Sequence, residues 1–147
     1  IASCLVGSEM CIRDSYSTWK KMLDRFEPDQ ETTLVGYSCG GGFLLRWLSE
    51  NNITVDKVIL VAPWLDPEKE IDPECFDFII DPEIVTRIKE LVVAYSTDDD
   101  PTILKSIETI REILPHISYK EFNDKGHFTL SDLGTEEFPE LKNIVLK

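Results

Sequence analysis

The sequence predicts an α/β fold in which a parallel sheet is covered on both faces by helices. Three observations predict it: strand-like segments alternate with helical ones, the segments "DKVILVA" at 56–62 and "ELVVAYS" at 90–96 are almost entirely apolar, and no repeat or linker divides the chain. Apolar strands are typical of a sheet buried on both faces, and the alternation indicates crossovers between parallel strands. A length of 147 residues suits one domain with one core.

The first element is an amphipathic helix over 15–26, where apolar residues from Tyr16 to Phe26 recur at helical spacing. Pro28-Asp29 ends it. The remaining elements are predicted in this order: strand 32–37, helix 41–52, strand 56–62, an irregular proline-rich segment 63–81, short helix 82–90, strand 90–96, helix 101–114, strand 117–122 and a closing helix 136–147 with a break at Pro139.

Charge and composition exclude several classes of function. The net charge of −13 argues against nucleic acid and anionic membrane surfaces as partners, because both favour lysine and arginine patches. No apolar run approaches the roughly 20 residues that span a bilayer. The four cysteines form no C-x-x-C pair and no metal-ligand spacing with the histidines. We therefore expect no metal site, no disulfide framework and a cytoplasmic location, while no protein partner is indicated.

The amino end differs in character from the rest of the chain. It starts at Ile1, and "SCLVGSEMCIRDS" at 3–15 resembles translated sequencing-adapter read-through. We therefore expect residues 1–14 to be a non-native leader and 15–147 to form a single, partial domain. The alternative is a real short strand, "CLVG", followed by a turn.

The segment Gly36-Tyr37-Ser38-Cys39-Gly40 matches G-x-S-x-G, the nucleophile elbow. Glycines suit a strand-to-helix turn so sharp that side chains would clash, and the turn lifts the serine above a helix amino terminus. Ser38 is thus a candidate nucleophile, and the backbone N–H of Cys39 is a candidate oxyanion donor. The alternative for Ser38 is a turn residue that binds an anion through backbone N–H groups.

Acidic residues and a histidine follow later strands of the predicted sheet. Asp98-Asp99-Asp100 follows strand 90–96 and His127 follows strand 117–122, so both lie at the same sheet edge as Ser38. His116 precedes its strand and falls at the opposite edge. The order Ser…Asp…His is that of α/β-hydrolases. Asp100 is also a candidate N-cap before Pro101, in which case Asp98 or Asp99 would orient the histidine. His127 has the alternative of a packed loop residue.

Four blocks, "LVGYSCGGGFLLRWL", "VILVAPWLDP", "YSTDDDP" and "FNDKGHF", together resemble the small serine hydrolases related to retinoblastoma-binding protein 9. The resemblance covers residues 15–147. It implies a three-layer α/β-hydrolase-type parallel sheet flanked by helices, with Ser38 as nucleophile, His127 as base and Asp100 as acid.

The chain departs from that family in two places. Tyr37 stands where members usually have histidine, and Cys39 where they have leucine or serine. The family also begins with a central strand and a glycine-rich loop that donates the second oxyanion N–H. This sequence shows no convincing equivalent, so we expect a fold that lacks the amino-terminal strand or strands, and weak activity, since one lost donor costs about 10²–10³ in rate.

The predicted function is acyl transfer to water through an acyl-enzyme, which needs no cofactor. The resemblance implies that the substrates are small molecules, namely esters, thioesters or amides. One alternative is a non-catalytic interaction module on a hydrolase scaffold. Another, a nucleotide or phosphate binder, lacks both G-x-G-x-x-G and the P-loop lysine. Four apolar residues after strand 56–62 either line an acyl pocket or form a satellite core: Trp64, Leu65, Phe76 and Phe78.

Overall fold

The computed structural model describes residues 15–147. The expected leader and the alternative strand "CLVG" lie outside these residues. Four strands are present in the described part: β1 (Thr33–Tyr37), β2 (Val55–Val61), β3 (Ile88–Ser96) and β4 (Ser118–Phe122). The α-helices there are α1 (Tyr16–Asp24), α2 (Cys39–Glu50), α3 (Pro73–Phe76), α4 (Pro101–Ile113), α5 (Leu130–Leu133) and α6 (Pro139–Leu146). A 3₁₀ helix spans Pro82–Thr86.

The strands form one parallel sheet, as predicted, and lie in the order β1-β2-β3-β4. The register places Tyr37 beside Val61, Val61 beside Ala94 and Ser96 beside Phe122. The carboxyl ends of all four strands therefore meet at one edge. Parallel sheets present their loops for binding and chemistry at that edge.

Successive residues of β2 face opposite sides of the sheet and belong to two separate cores. Val58 and Leu60 join the larger core, which is built with α1, α2 and α4. Ile59 and Val61 join a smaller core on the other face, against which α6 packs. Helices thus cover both faces, which confirms the three-layer α/β-hydrolase-type architecture and explains why β2 is apolar from Val58 to its end.

Helix α1 is confirmed as an amphipathic helix. Ser15 caps it by accepting a hydrogen bond from the Thr18 N–H, and Trp19 packs edge-on against Phe43 of α2 with ring centroids 5.2 Å apart. A buried T-shaped aromatic pair contributes about 0.5–1.5 kcal/mol beyond its burial. This contact anchors α1 to the helix that follows the elbow.

Three local predictions differ from the structure. The helix expected over 82–90 is a 3₁₀ turn that ends at Thr86, because Ile88 and Glu90 already pair with β2. Helix α6 begins at Pro139 instead of being broken there, since proline at the first helical position needs no N–H partner. The short helix α3 lies in the segment 63–81, which is predicted to be irregular, and α5 lies between the predicted strand 117–122 and helix 136–147, where the sequence predicts no element.

Candidate active site

The turn between β1 and α2 holds Ser38 in an unusual backbone conformation, with φ of 53° and ψ of −121°. A left-handed φ in a residue with a side chain costs about 1–3 kcal/mol and persists only where its surroundings hold it. Here the Ser38 N–H donates to the Val61 carbonyl at 2.9 Å, and the Ser38 carbonyl accepts from the Trp64 N–H at 3.0 Å. The carboxyl end of β2 therefore fixes the serine.

The glycines around this turn are required by close packing. A Cβ on Gly36 would lie 2.7 Å from the Gly40 carbonyl oxygen, and one on Gly42 would lie 2.0 Å from the Trp64 carbonyl oxygen. Both distances are shorter than any real Cβ contact. The reason expected from the sequence, a turn too sharp for side chains, therefore applies at Gly36, and Gly42 is needed for the approach of the β2 loop to α2.

Three side chains form a hydrogen-bonded chain at the carboxyl edge of the sheet. Ser38 Oγ lies 3.0 Å from His127 Nε2, and His127 Nδ1 lies 2.9 Å and 3.1 Å from the two carboxylate oxygens of Asp99. An ionised carboxylate only accepts, so its partner Nδ1 carries the proton and Nε2 is left as the acceptor for the serine hydroxyl. This tautomer is the one that a general base requires.

The histidine is the most exposed member of this hydrogen-bonded chain and lies between two buried residues. The Asp99 side chain is fully buried and that of His127 is 30% exposed, while Ser38 is 6% exposed. A buried carboxylate must be hydrogen-bonded to be tolerated. Asp99 meets this need through His127 and through the Asp100 N–H, which donates to its Oδ1 at 2.7 Å.

His127 pairs with Asp99 and not with Asp100, which corrects the assignment of the acidic partner. Asp100 is the N-cap of α4: one carboxylate oxygen accepts from the Thr102 N–H at 2.8 Å and from its hydroxyl at 2.6 Å. These two hydrogen bonds lower the pKa of Asp100, and the bond from the Thr102 hydroxyl has the larger effect. The Asp-Pro pair at the start of a helix was the signal for this cap, and it left Asp98 and Asp99 as the open alternatives.

Asp98 holds the loop that precedes His127. Its carboxylate accepts from the Ser96 hydroxyl and from the backbone N–H groups of Lys125 and Gly126. The Ser96 bond is the main reason that the pKa of Asp98 is lowered. The neighbouring aspartates therefore serve three separate purposes: loop support, pairing with histidine, and helix capping.

Two further residues hold the main chain of His127, and the sequence did not identify either. The His127 N–H donates to Asp132 Oδ2 at 3.0 Å, and the Tyr37 hydroxyl donates to the His127 carbonyl oxygen at 2.6 Å. Asp132 also completes a capping box with Thr129 at the start of α5. The T-x-x-D pattern of that capping box was the available signal for Asp132. Tyr37 offered none, because its partner is 90 residues away.

The other candidates take these positions. Cys39 is the first residue of α2 and packs against the larger core. Trp64 and Phe76 are buried in that core with ring centroids 5.0 Å apart, so both belong to the main core and not to a separate satellite core. His116 is exposed and precedes β4, at the sheet edge opposite Ser38.

Among residues 15–147, no group of three or more metal-ligating side chains is placed to hold a metal ion. No helix in that range is long and apolar enough to cross a membrane.

No protein-family model and no curated protein matches the sequence. The chain is similar in structure to the ydeN gene product of B. subtilis, with a TM-score of 0.78 and 20% identity over 91% of this chain and 75% of that one. It is also similar to MGS-MChE2, an α/β hydrolase enzyme from the metagenome of sediments of the lagoon of Mar Chica, Morocco (TM-score 0.64, 16% identity, 93% and 72% covered).

A third similar structure comes from a study of carboxylesterases of the thaumarchaeon Nitrososphaera gargenis, with a TM-score of 0.60 and 13% identity over 90% of this chain and 71% of that one. Identities this low establish a shared fold and no more. The chain therefore has the α/β-hydrolase fold.

Proposed function

We propose that this protein is a serine hydrolase in which Ser38 is the nucleophile, His127 the general base and Asp99 the residue that orients the base. The observation that carries the proposal is the continuous hydrogen-bonded chain from Ser38 Oγ through both imidazole nitrogens to a buried carboxylate. If His127 were only a packed loop residue, it would not need to lie between a strained serine and a fully buried aspartate. Three residues from three strand ends meet here, which is the arrangement of nucleophilic catalysis.

The reaction is acyl transfer to water. His127 Nε2 takes the hydroxyl proton as Ser38 Oγ bonds to the substrate carbonyl carbon, giving a tetrahedral intermediate. That intermediate collapses, and the leaving alcohol, thiol or amine takes the proton from the imidazolium. Water then attacks the acyl-enzyme with the same base, which releases the acid and restores the Ser38 hydroxyl. Asp99 keeps the proton on Nδ1 and stabilises the imidazolium throughout.

The developing oxyanion needs hydrogen-bond donors, and we propose the Cys39 N–H as one of them. Cys39 begins α2, and the first amides of a helix point away from its body toward the preceding residue. The partial positive charge of the helix amino terminus favours an oxyanion at that position.

The substrate class is small esters, thioesters or amides, and no cofactor takes part. Relationship to the small serine hydrolases near retinoblastoma-binding protein 9 belongs to the same proposal, as does a cytoplasmic location. The similar structures described as a hydrolase enzyme and as carboxylesterases support the general class of reaction.

The proposal is tested by labelling the purified chain with a fluorophosphonate probe, which reacts only with an activated serine. We expect labelling that disappears in Ser38→Ala and His127→Ala and persists in His116→Ala, because His116 lies at the opposite sheet edge. Circular dichroism of each variant checks that it is folded. Absence of labelling in the folded parent chain would contradict the enzyme and favour a non-catalytic module on the same scaffold.

A further inference from the structure

Tyr37, the residue before the proposed nucleophile, packs against the ring of the proposed base. The Tyr37 and His127 rings have centroids 5.0 Å apart and planes inclined at 39°, and the Tyr37 hydroxyl donates to the His127 carbonyl at 2.6 Å. The same side chain thus contacts the imidazole and holds the main chain that carries it. Since Tyr37 ends β1, it links the nucleophile strand to the histidine loop.

The histidine loop, residues 123–129, has no regular secondary structure to hold it in place. Asp124, Gly126 and Phe128 all have positive φ, between 50° and 57°. Backbone of this kind persists only when contacts from outside specify it. The position of the imidazole therefore depends on the side chains that bind this loop.

Some of those side chains accept hydrogen bonds from the loop backbone, and another donates one to it. Asp98 and Asp132 accept hydrogen bonds from the N–H groups of Lys125, Gly126, His127 and Thr129. Two carboxylates can bind only donors, so the carbonyl of His127 needs a donor from elsewhere. Tyr37 supplies it, which makes the tyrosine complementary to the two aspartates.

The surroundings of Tyr37 keep its hydroxyl a donor. Burial, together with the negative charges of Asp99 and Asp132, raises the pKa of Tyr37 to about 12. The phenol therefore stays protonated across the working range of a hydrolase, and its hydrogen bond does not depend on pH there.

We infer that Tyr37 is a positioning residue that sets the histidine loop, and through it the imidazole, for proton transfer with Ser38. The inference rests on the proposed function. It assigns a role to the residue that precedes the serine in the G-x-S-x-G segment of this chain. Displacement of a reacting group by about 1 Å can cost about 10²-fold in rate. We therefore expect that removal of the Tyr37 hydroxyl lowers kcat.

The test compares Tyr37→Phe with Tyr119→Phe. Tyr119 is also partly buried, and its hydroxyl also donates to a main-chain carbonyl, that of Leu114, at 2.9 Å. It lies near the amino end of β4, away from Ser38. Both substitutions remove one hydroxyl and keep the ring, so they lose the same kind of hydrogen bond at two places.

Two measurements are made on the whole chain: amide hydrogen exchange over 123–129, and kcat and KM for a short p-nitrophenyl ester. We expect Tyr37→Phe to speed exchange in the loop about tenfold and to lower kcat about tenfold at unchanged KM. Tyr119→Phe should change neither.

Unchanged loop exchange in Tyr37→Phe would overturn the inference. An equal fall of kcat in both variants would do the same, as would a raised KM at constant kcat. If the parent chain neither hydrolyses the ester nor reacts with the fluorophosphonate, the proposed function fails, and the exchange measurement alone then decides whether Tyr37 orders the loop.

Discussion

Asp98, Asp99 and Asp100 are adjacent in sequence, yet their carboxylates bind different partners. Only the Asp99 side chain is fully buried, and only Asp99 contacts the imidazole. Asp100 is exposed and turned to its own helix. The chain reverses direction between β3 and α4, so successive side chains point to different parts of the molecule. The direction in which each aspartate side chain points therefore decides which partner it binds.

Exchange of each carboxylate for an amide separates these roles. Asp99→Asn is expected to lower kcat by about 10⁴-fold, because the amide can donate to Nδ1 and stabilise the wrong imidazole tautomer. Asp100→Asn should leave kcat and the melting temperature nearly unchanged, since asparagine caps helices about as well as aspartate. Ester hydrolysis and thermal melts of the two variants check this. A collapse of kcat in Asp100→Asn with Asp99→Asn active would return the acid to Asp100.

Elements place these residues through two kinds of turn. The β1–α2 turn is tight and depends on missing side chains, whereas the loop from β4 to α5 depends on carboxylates that collect its N–H groups. A larger side chain should therefore destabilise the β1–α2 turn. Removal of a carboxylate charge should destabilise the loop from β4 to α5, so the two segments are tested by different substitutions.

Gly36→Ala tests the turn. The new methyl would meet backbone atoms of Gly40 at 2.7–2.8 Å, and backbone cannot rotate away as a side chain can. We expect a loss of about 1–3 kcal/mol of stability, as for overpacking, together with loss of fluorophosphonate labelling. Gly134→Ala is the control: its φ is +69° but nothing lies within 4 Å, so it should cost about 1–2 kcal/mol of backbone strain and keep labelling. Full labelling of Gly36→Ala would contradict the steric argument.

Asp132→Asn tests the loop through pH. Hydrogen bonds from the Thr129 side chain, then from backbone N–H groups, lower the pKa of Asp132 below its ordinary 3.8. A lowered folded-state pKa means that the stabilisation is complete above the unfolded value and is lost as pH falls through the folded one.

Asp132→Asn should therefore melt below the parent at neutral pH, and the difference should shrink at pH values below 3.8. Thermal melts across this range measure it. Glu112→Gln, which removes an exposed carboxylate on α4, should keep the parent's pH dependence. A gap between Asp132→Asn and the parent that widens in acid would show that the sign is wrong.

The whole molecule carries a net charge of −13 on 147 residues. Repulsion among so many carboxylates opposes the compact state. Exposed ion pairs such as Lys105–Glu68 and Lys69–Asp77 oppose this effect weakly, because a surface pair is worth about 0–1 kcal/mol. We therefore expect net repulsion to be the larger electrostatic effect on stability.

Salt should consequently stabilise the protein. Raising NaCl from a few millimolar to about 0.15 M shortens the screening length to about 8 Å and should raise the melting temperature, by about 2–4 °C for each kcal/mol of repulsion removed. Melts in NaCl and KCl should agree, because screening does not depend on the identity of the cation. A melting temperature that falls with salt would indicate that ion pairs dominate instead.

The order of the strands and long helices along the chain, and the sheet edge at which Ser38 and His127 meet, are predictable from the amino-acid sequence alone. Those features follow from local patterns: apolar runs such as 56–62, the glycines beside Ser38, and the rule that parallel strands share a carboxyl edge. The role of Asp100 as a helix cap could also be predicted, because the cap residue and the proline that follows it are neighbours in the sequence. The folded structure was needed to show that Asp99 pairs with His127 and that Tyr37 and Asp132 hold the histidine backbone. The Asp99 and Tyr37 hydrogen bonds join residues 28 and 90 positions apart, and the direction of each side chain there depends on how whole elements pack, which no local pattern encodes.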